Sequence, residues 1–249
     1  MINFSSISQN SISGIVMRFF AELIPKNTKL FILQGRLKGK KWVKGSGTNG
    51  YWLGTYELDK QKVFIEKVKK GDVVFDIGAQ SGFYSLLAAE LSGENGKVFS
   101  FEPLPQNIFY LKKNIEINNC QNIKVIEAAV SENSGILKFE RGNNNFTGRI
   151  GEAGDLEVRA VSIDDMVNKK ILVAPNVMKI DVEGAELAVL NGAANVLEKY
   201  HPVILLAIHR LSGNIHQDCC NFLKNLGYSL ESLSSEDIEK ADEIIAEYK

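Results

Sequence analysis

The chain has 249 residues, 45% of them hydrophobic, which suits one catalytic domain with an appendage better than two independent domains. Its formal net charge of -1 excludes a partner held by bulk positive charge, and its three cysteines, none in a CxxC spacing, signal neither a disulfide framework nor a thiolate metal site. No stretch approaches the roughly 20 apolar residues of a bilayer span, so no transmembrane segment is expected and a reducing cytoplasmic setting fits best.

Charge is unevenly distributed. In residues 1–56, Arg18, Lys26, Lys29, Arg36, Lys38, Lys40, Lys41 and Lys44 face a single acid, Glu22, giving a basic N-terminal extension ahead of the main domain at 57–249. Within the extension, Ile12, Ile15, Val16, Phe19, Phe20, Leu23 and Ile24 recur at helical spacing up to Pro25. That predicts an amphipathic helix whose stripe docks on the domain or on a second copy, making a homo-oligomer, or lies on a membrane surface. Arg36 to Lys44 alternates apolar and basic residues, as an exposed hairpin or a surface for an anionic acceptor would. Tyr51 to Glu57 is rich in aromatics and is expected to cross the mouth of a ligand site.

From residue 71 the pattern is regular. Val73–Ile77, Lys97–Glu102, Ile123–Ala128, Val177–Asp181 and Val203–Ile208 read as short apolar strands, most of them separated by helices such as Ser81–Leu91 and Gln106–Asn118. Such alternation argues for an α/β fold with a mostly parallel, doubly wound sheet covered by helices on both faces. Gly135–Glu140 and Leu156–Ala160 alternate instead like antiparallel strands and predict an inserted hairpin. A helix over Ile215–Leu226 and strands at Tyr228–Glu231 and Glu243–Tyr248 then close a seven-stranded sheet, its last strand antiparallel.

Three motifs carry chemistry. Val74-Phe75-Asp76-Ile77-Gly78-Ala79-Gln80-Ser81-Gly82-Phe83 is a strand turning through glycines into a helix, where absent Cβ atoms and free N–H groups would admit a nucleotide. Its DxGxxxG spacing departs from the GxGxxG of dinucleotide sites, which argues against an NAD-dependent dehydrogenase. Asp76 would suit the ammonium and sulfonium charges of a sulfonium amino acid. Glu102, followed by Pro103, ends the next strand twenty positions beyond Gly82, where an acid accepts hydrogen bonds from both ribose hydroxyls. Asp181 and Glu183, in Lys179-Ile180-Asp181-Val182-Glu183-Gly184-Ala185-Glu186, fall at the carboxyl edge of the sheet, where paired carboxylates serve as base, metal ligand or orienter of hydroxyls. Glu183 and Glu186 could equally complement the next helix start.

These motifs resemble the FkbM family of methyltransferases over about residues 50–210. Asp76 to Ser85 is similar to that family's D-[VI]-G-A-N-x-G-x-[YF]-[ST], Phe101-Glu102-Pro103 to its F-E-P, Ser162-Ile163-Asp164 to its T-L-D, and Lys179 to Glu186 to its K-I-D-V-E-G-x-E. The resemblance implies a Rossmann-like class I methyltransferase fold and S-adenosyl-L-methionine as methyl donor. It also implies O-methylation of a hydroxyl on a sugar, a glycan or a secondary metabolite. The cofactor contacts expected are Glu57, Asp76, Gly78, Ala79, Gln80, Gly82, Phe83, Glu102, Pro103, Glu127, Ala128 and Asp181, with Glu57 at the methionine end. Catalysis is expected from Asp181, Glu183 and His209, one of which should take the acceptor's proton. No metal is expected, since no His-rich ligand set is present.

Two departures stand out: Gln80 replaces the family's usual Asn, and Ala207 stands where the family commonly has Glu, leaving His209 without that upstream acid. An RNA methyltransferase remains an alternative reading of the basic extension, although no RNA-binding module is recognisable and nucleic acid is not the expected partner. A non-catalytic cofactor-binding partner subunit is the other, with Ala207 as its sign.

Overall fold

A computed structural model describes residues 19, 21–141, 148–150, 154, 156–210, 213–233 and 237–249. The amphipathic helix expected over 12–24 therefore falls largely outside the described residues. After helical residues 19 and 21–23 comes an antiparallel pair, β1 (Lys29–Phe31) against β2 (Lys41–Val43), followed by helices α1 (Gly50–Leu53) and α2 (Leu58–Lys67). Strand–helix alternation follows as β3 (Val73–Ile77), α3 (Phe83–Ser92), β4 (Lys97–Phe101), α4 (Pro105–Ile117) and β5 (Ile123–Ile126). Next come β6 (Ala129–Val130), β7 (Gly135–Arg141), β8 (Gly148–Ile150) and β9 (Leu156–Val161). The chain continues through α5 (Ile163–Asn168), β10 (Val177–Ile180), α6 (Glu186–Asn191), α7 (Ala194–Tyr200), β11 (Val203–Ala207), α8 (Ile215–Asn225), β12 (Tyr228–Ser232) and β13 (Glu243–Tyr248).

The main sheet has seven strands in the order β12-β13-β11-β10-β3-β4-β5. Strands β11, β10, β3, β4 and β5 run parallel, and β13 is antiparallel to both of its neighbours. This is the mostly parallel Rossmann-like sheet that the alternation predicts. Parallel strands are buried on both faces, which explains their nearly continuous apolar runs. Val74, Val98, Val177 and Leu205 enter one core with Phe64, Phe83 and Trp42, whereas Phe75, Ile77, Phe101, Met178, Ile180 and Leu206 enter the other.

Local signals set the helix ends. Gly82 at φ +93° precedes α3, Pro105 occupies the first turn of α4, and the Ser162 hydroxyl accepts the Asp165 N–H at 3.4 Å to start α5. The inserted segment is larger than the hairpin expected: β7 and β9 pair antiparallel, and β8 and β6 extend them to a four-stranded sheet ordered β6-β9-β7-β8. Among the described residues no helix is long and apolar enough to cross a membrane.

The first antiparallel pair is not a free surface hairpin. Trp42, Val43 and Leu37 are buried, and Trp42 packs on Tyr51 and Phe83 at ring separations of 4.9 and 6.1 Å. Its basic residues Lys29, Arg36, Lys38 and Lys41 remain exposed. Helix α4 seals β2: Asn114 Oδ1 accepts the Val43 N–H at 2.9 Å, and Asn118 both accepts from Lys41 N and donates to Lys41 O at 2.8 Å. Asn114 and Asn118 lie one turn apart on α4, while Lys41 and Val43 lie two residues apart on the strand, so helix side chains complete a ladder that would otherwise be open.

Candidate active site

A cavity opens at the carboxyl ends of β3, β4 and β10, the edge where doubly wound sheets bind ligands, and together with its solvent-filled mouth it spans about 860 Å³. Its floor is the turn after β3. Gly78 has φ +77°, and a Cβ there would lie 1.9 Å from the Asp181 carbonyl oxygen. Gly82 has φ +93°, and its Cβ would lie 2.5 Å from Leu111 Cδ1. The sequence argument assigns both glycines to ligand clearance; the structure assigns them to the close approach of β10 and α4, with Gly78 also lining the cavity. Gln80, at φ +49°, holds the third left-handed position of the turn, and its Oε1 accepts the Tyr51 hydroxyl.

Glu102 lies on one wall with its carboxylate fixed before any ligand arrives. Oε2 accepts the Gln80 N–H at 2.8 Å, while Oε1 accepts the Leu104 N–H at 3.0 Å and Asn107 Nδ2 at 3.1 Å. Burial pushes its pKa up to about 7, and the three N–H donors oppose that rise. Leu104, Ala128 and Phe139, the last from the inserted sheet, form an apolar niche in the same cavity.

The same cavity is lined by Lys179, Asp181 and Glu183, and the Lys179 charge helps to hold the Glu102 pKa down. Lys179 Nζ donates to Gly78 O at 2.8 Å and lies 3.4 Å from Asp76 Oδ1 and 3.6 Å from Asp181 Oδ2. Asp76 itself is fully buried behind Lys179, accepting the Ser85 hydroxyl at 2.6 Å, and does not line the cavity. His209 sits beside Asp181 and Glu183, with Nε2 3.7 Å from Asp181 Oδ1 and from Glu183 Oε2. Its Nδ1 lies 2.8 Å from Oε1 of the buried Glu186, which also accepts the Gly184 N–H. This contact assigns the proton to Nδ1 and leaves Nε2 as the free nitrogen of the neutral ring. The Glu186 hydrogen bond raises the His209 pKa above 6.5, with Asp181 and Glu183 adding to the rise against partial burial.

Asp181 behaves in the opposite way. Burial would raise its pKa, but Lys179, Lys60 and His209 outweigh that and hold it at about 2. Lys60 is buried beneath it, 3.3 Å from Asp181 Oδ2, 3.2 Å from Glu57 Oε2 and 2.8 Å from Glu243 Oε1. Glu57, in the left-handed region at φ +45°, also accepts the Tyr84 hydroxyl at 3.0 Å and stands outside the cavity lining.

Of the residues expected from sequence, the cavity brings together Gly78, Ala79, Gln80, Phe83, Glu102, Pro103, Ala128, Asp181 and Glu183. Asp76, Gly82, Glu57 and His209 are not among the lining residues. Glu127 points elsewhere and pairs with Lys112 at 2.6 Å on the surface. Lys60, Lys179, Glu186 and Glu243 are additions, and only Lys179 and Glu186 lie within a motif that could have revealed them.

The sequence profile of the methyltransferase FkbM domain matches residues 76–230. Among curated proteins, the chain is 29% identical over 151 residues to the hexuronic acid methyltransferase AglP of Haloferax volcanii, a match covering 60% of this chain and 61% of that protein. It is 24% identical over 181 residues to the 31-O-demethyl-FK506 methyltransferase FkbM of Streptomyces tacrolimicus, covering 59% of this chain and 69% of that one. The matched region thus spans about three-fifths of the archaeal relative's length. A crystal structure of methyltransferase FkbM from Methylobacillus flagellatus superposes with a TM-score of 0.51 at 18% identity, covering 81% of this chain and 56% of that one, a likeness of fold. The profile covers well over half of the chain and contains both the Gly78 turn and the Asp181–Glu186 segment, so the chain belongs to the FkbM methyltransferase domain family.

Proposed function

We propose that the chain transfers a methyl group from S-adenosylmethionine to a hydroxyl oxygen of a sugar or glycan, or of a secondary metabolite. The observation that carries this reading is one cavity lined by two chemically different sets of groups: a preoriented Glu102 carboxylate with the apolar Leu104, Ala128 and Phe139, and the charged Lys179, Asp181 and Glu183. The Glu102 group fits the cofactor. Glu102 would accept the ribose hydroxyls, Pro103, Leu104 and Ala128 would flank the base, and the Gly78–Gln80 backbone would hold the amino-acid part. When bound, that cofactor supplies a methyl carbon made electrophilic by its sulfonium.

The charged cluster of Lys179, Asp181 and Glu183 handles the acceptor. An alcohol is a poor nucleophile at neutral pH, so a base must take its proton as the new bond forms. Asp181, held at a pKa of about 2, is too weak a base for that role and serves instead as a fixed anion that orients the hydroxyl together with Glu183. His209 is the better proton acceptor, because Glu186 holds its Nδ1–H and leaves Nε2 free toward those two carboxylates.

The archaeal relative named for hexuronic acid supports a sugar acceptor, and the exposed lysines of the β1–β2 pair support an anionic one. A uronic acid offers two kinds of oxygen, and a carboxylate is already deprotonated at neutral pH and needs no base. The built His209–Glu186 pair therefore favours the hydroxyl. Incubation of the purified protein with methyl-labelled S-adenosylmethionine and free or oligomeric uronic acids should give an alkali-stable ether. An alkali-labile ester would overturn the hydroxyl assignment, and label entering RNA alone would overturn the sugar class.

A further inference from the structure

Next to Asp181, one lysine meets three carboxylates from three distant parts of the chain. Lys60 of α2 is 1% exposed and outside the cavity lining, yet its ammonium lies 3.2 Å from Glu57 Oε2, 3.3 Å from Asp181 Oδ2 and 2.8 Å from Glu243 Oε1. The Lys60 and Lys179 ammonium nitrogens both lie over the Tyr84 ring, 5.8 and 5.6 Å from its centroid. Glu243 begins β13 directly opposite Ala207 of β11. Burying an ammonium is costly unless it is paired on all sides, and here every pairing partner is an anion at the sheet's carboxyl edge. Lys60 and Glu243 both lie outside residues 76–230, the part shared with the family profile.

The division of Asp181 is the informative detail. Its Oδ2 is taken by Lys60 at 3.3 Å and Lys179 at 3.6 Å, leaving Oδ1 as the oxygen nearest His209, 3.7 Å from Nε2. Given the hydroxyl reading above, we propose that Lys60 is a positioning residue for methyl transfer: clamped by Glu57 and Glu243, it commits Oδ2 of Asp181 to the protein interior and presents Oδ1 to His209 and the acceptor. Glu243 thereby places a carboxylate from a neighbouring strand beside Ala207.

The clamp predicts what Asp181 does in solution, with or without substrate. Its carboxyl carbon, followed by NMR on the cofactor-free protein, should titrate well below the ordinary carboxylate value of about 3.9. A wild-type midpoint at the ordinary value would overturn the proposal without any variant. In Lys60→Met/Glu243→Gln, which removes one charge of each sign, the midpoint should rise by about one pH unit or more, and in Lys60→Arg it should stay within about half a unit of wild type. Turnover should fall about 100-fold in the double variant while the affinity for S-adenosylhomocysteine changes less than about threefold, and Lys60→Arg should recover most of the turnover. A merely structural lysine would lower the melting temperature and leave the Asp181 midpoint where it is; that result overturns the clamp. Equal losses of turnover and product affinity would overturn it as well, by assigning the cluster to the cofactor. If the wild-type protein transfers no methyl to hydroxyl acceptors while the Asp181 midpoint moves as stated, the hydroxyl reading fails and the clamp stands.

Discussion

At Glu102, burial raises the carboxyl pKa from 4.5 to about 7 against three N–H donors that lower it. The native state therefore holds that proton more tightly than the unfolded chain does, a preference of ~3 kcal/mol that is fully present below pH 4.5 and lost as pH rises through 7. Ribose hydroxyls need the ionised form, so product affinity measured by calorimetry should weaken as pH falls below about 7, and Glu102→Ala should lose about 1.5–3 kcal/mol of binding at pH 8. Gly78→Ala should fail for a different reason. Its Cβ would meet the Asp181 carbonyl at 1.9 Å in a left-handed backbone, so the melting temperature should drop along with binding, by about 3 kcal/mol or more of stability. At His209 the rate should fall in acid through a midpoint above 6.5, and Glu186→Gln, which removes the main cause of that raised value, should move the acid limb to lower pH. An unmoved limb would take His209 out of the chemistry. Residues such as Glu102 and Asp181 were legible because a strand-end acid ahead of a turn residue, Pro103 in one case and Gly184 three positions on in the other, is a local pattern. Lys60 and Glu243 were not, because a lone Lys on a helix and a lone Glu on a late strand look like solvated surface until the fold brings them together.

Helix α2 shows the same difficulty at the scale of an element. Its buried face holds Lys60, Gln61 and Phe64, so the apolar period by which a helix is recognised is broken by the polar residues that serve the site. The five parallel strands suffer no such loss, and their limits agree with the sequence reading to within one or two residues, as expected where burial on both faces leaves a continuous apolar run. The inserted sheet was half legible: β7 and β9 alternate clearly, whereas β6 is two residues long and β8 three. The β1–β2 pair carries the clearest consequence for this scale. Trp42 is 1% exposed and supports Tyr51, which lines the cavity, so Trp42→Ala should cost about 3–5 kcal/mol in denaturant unfolding and weaken product binding as well. Lost stability with unchanged affinity would show that the pair braces the fold and leaves the site indifferent.

Across the whole molecule, the cavity draws its walls from both cores and from the inserted sheet, so ligand binding should be felt by the entire domain. Product at about 100 times its dissociation constant should add about 2.7 kcal/mol, a rise of roughly 5–10 °C in melting temperature for a chain of this size. A scan in which S-adenosylhomocysteine leaves the transition unmoved would remove the cofactor assignment. The sheet order and the place of the site at its carboxyl edge followed from the strand–helix alternation, because that pattern admits few topologies. What the pattern could not supply was the layer behind the lining, where contacts join residues as far apart as Lys60 and Asp181, separated by 121 positions. That separation has a consequence for biosynthesis. Translation at about 5–20 residues per second delivers Lys60 on the order of ten seconds or more before Glu243. Throughout that interval the ammonium lacks its shortest partner, so water, or a chaperone that tolerates it, must hold this end of the nascent sheet open, and catalytic competence should arrive abruptly when β13 slots between β11 and β12.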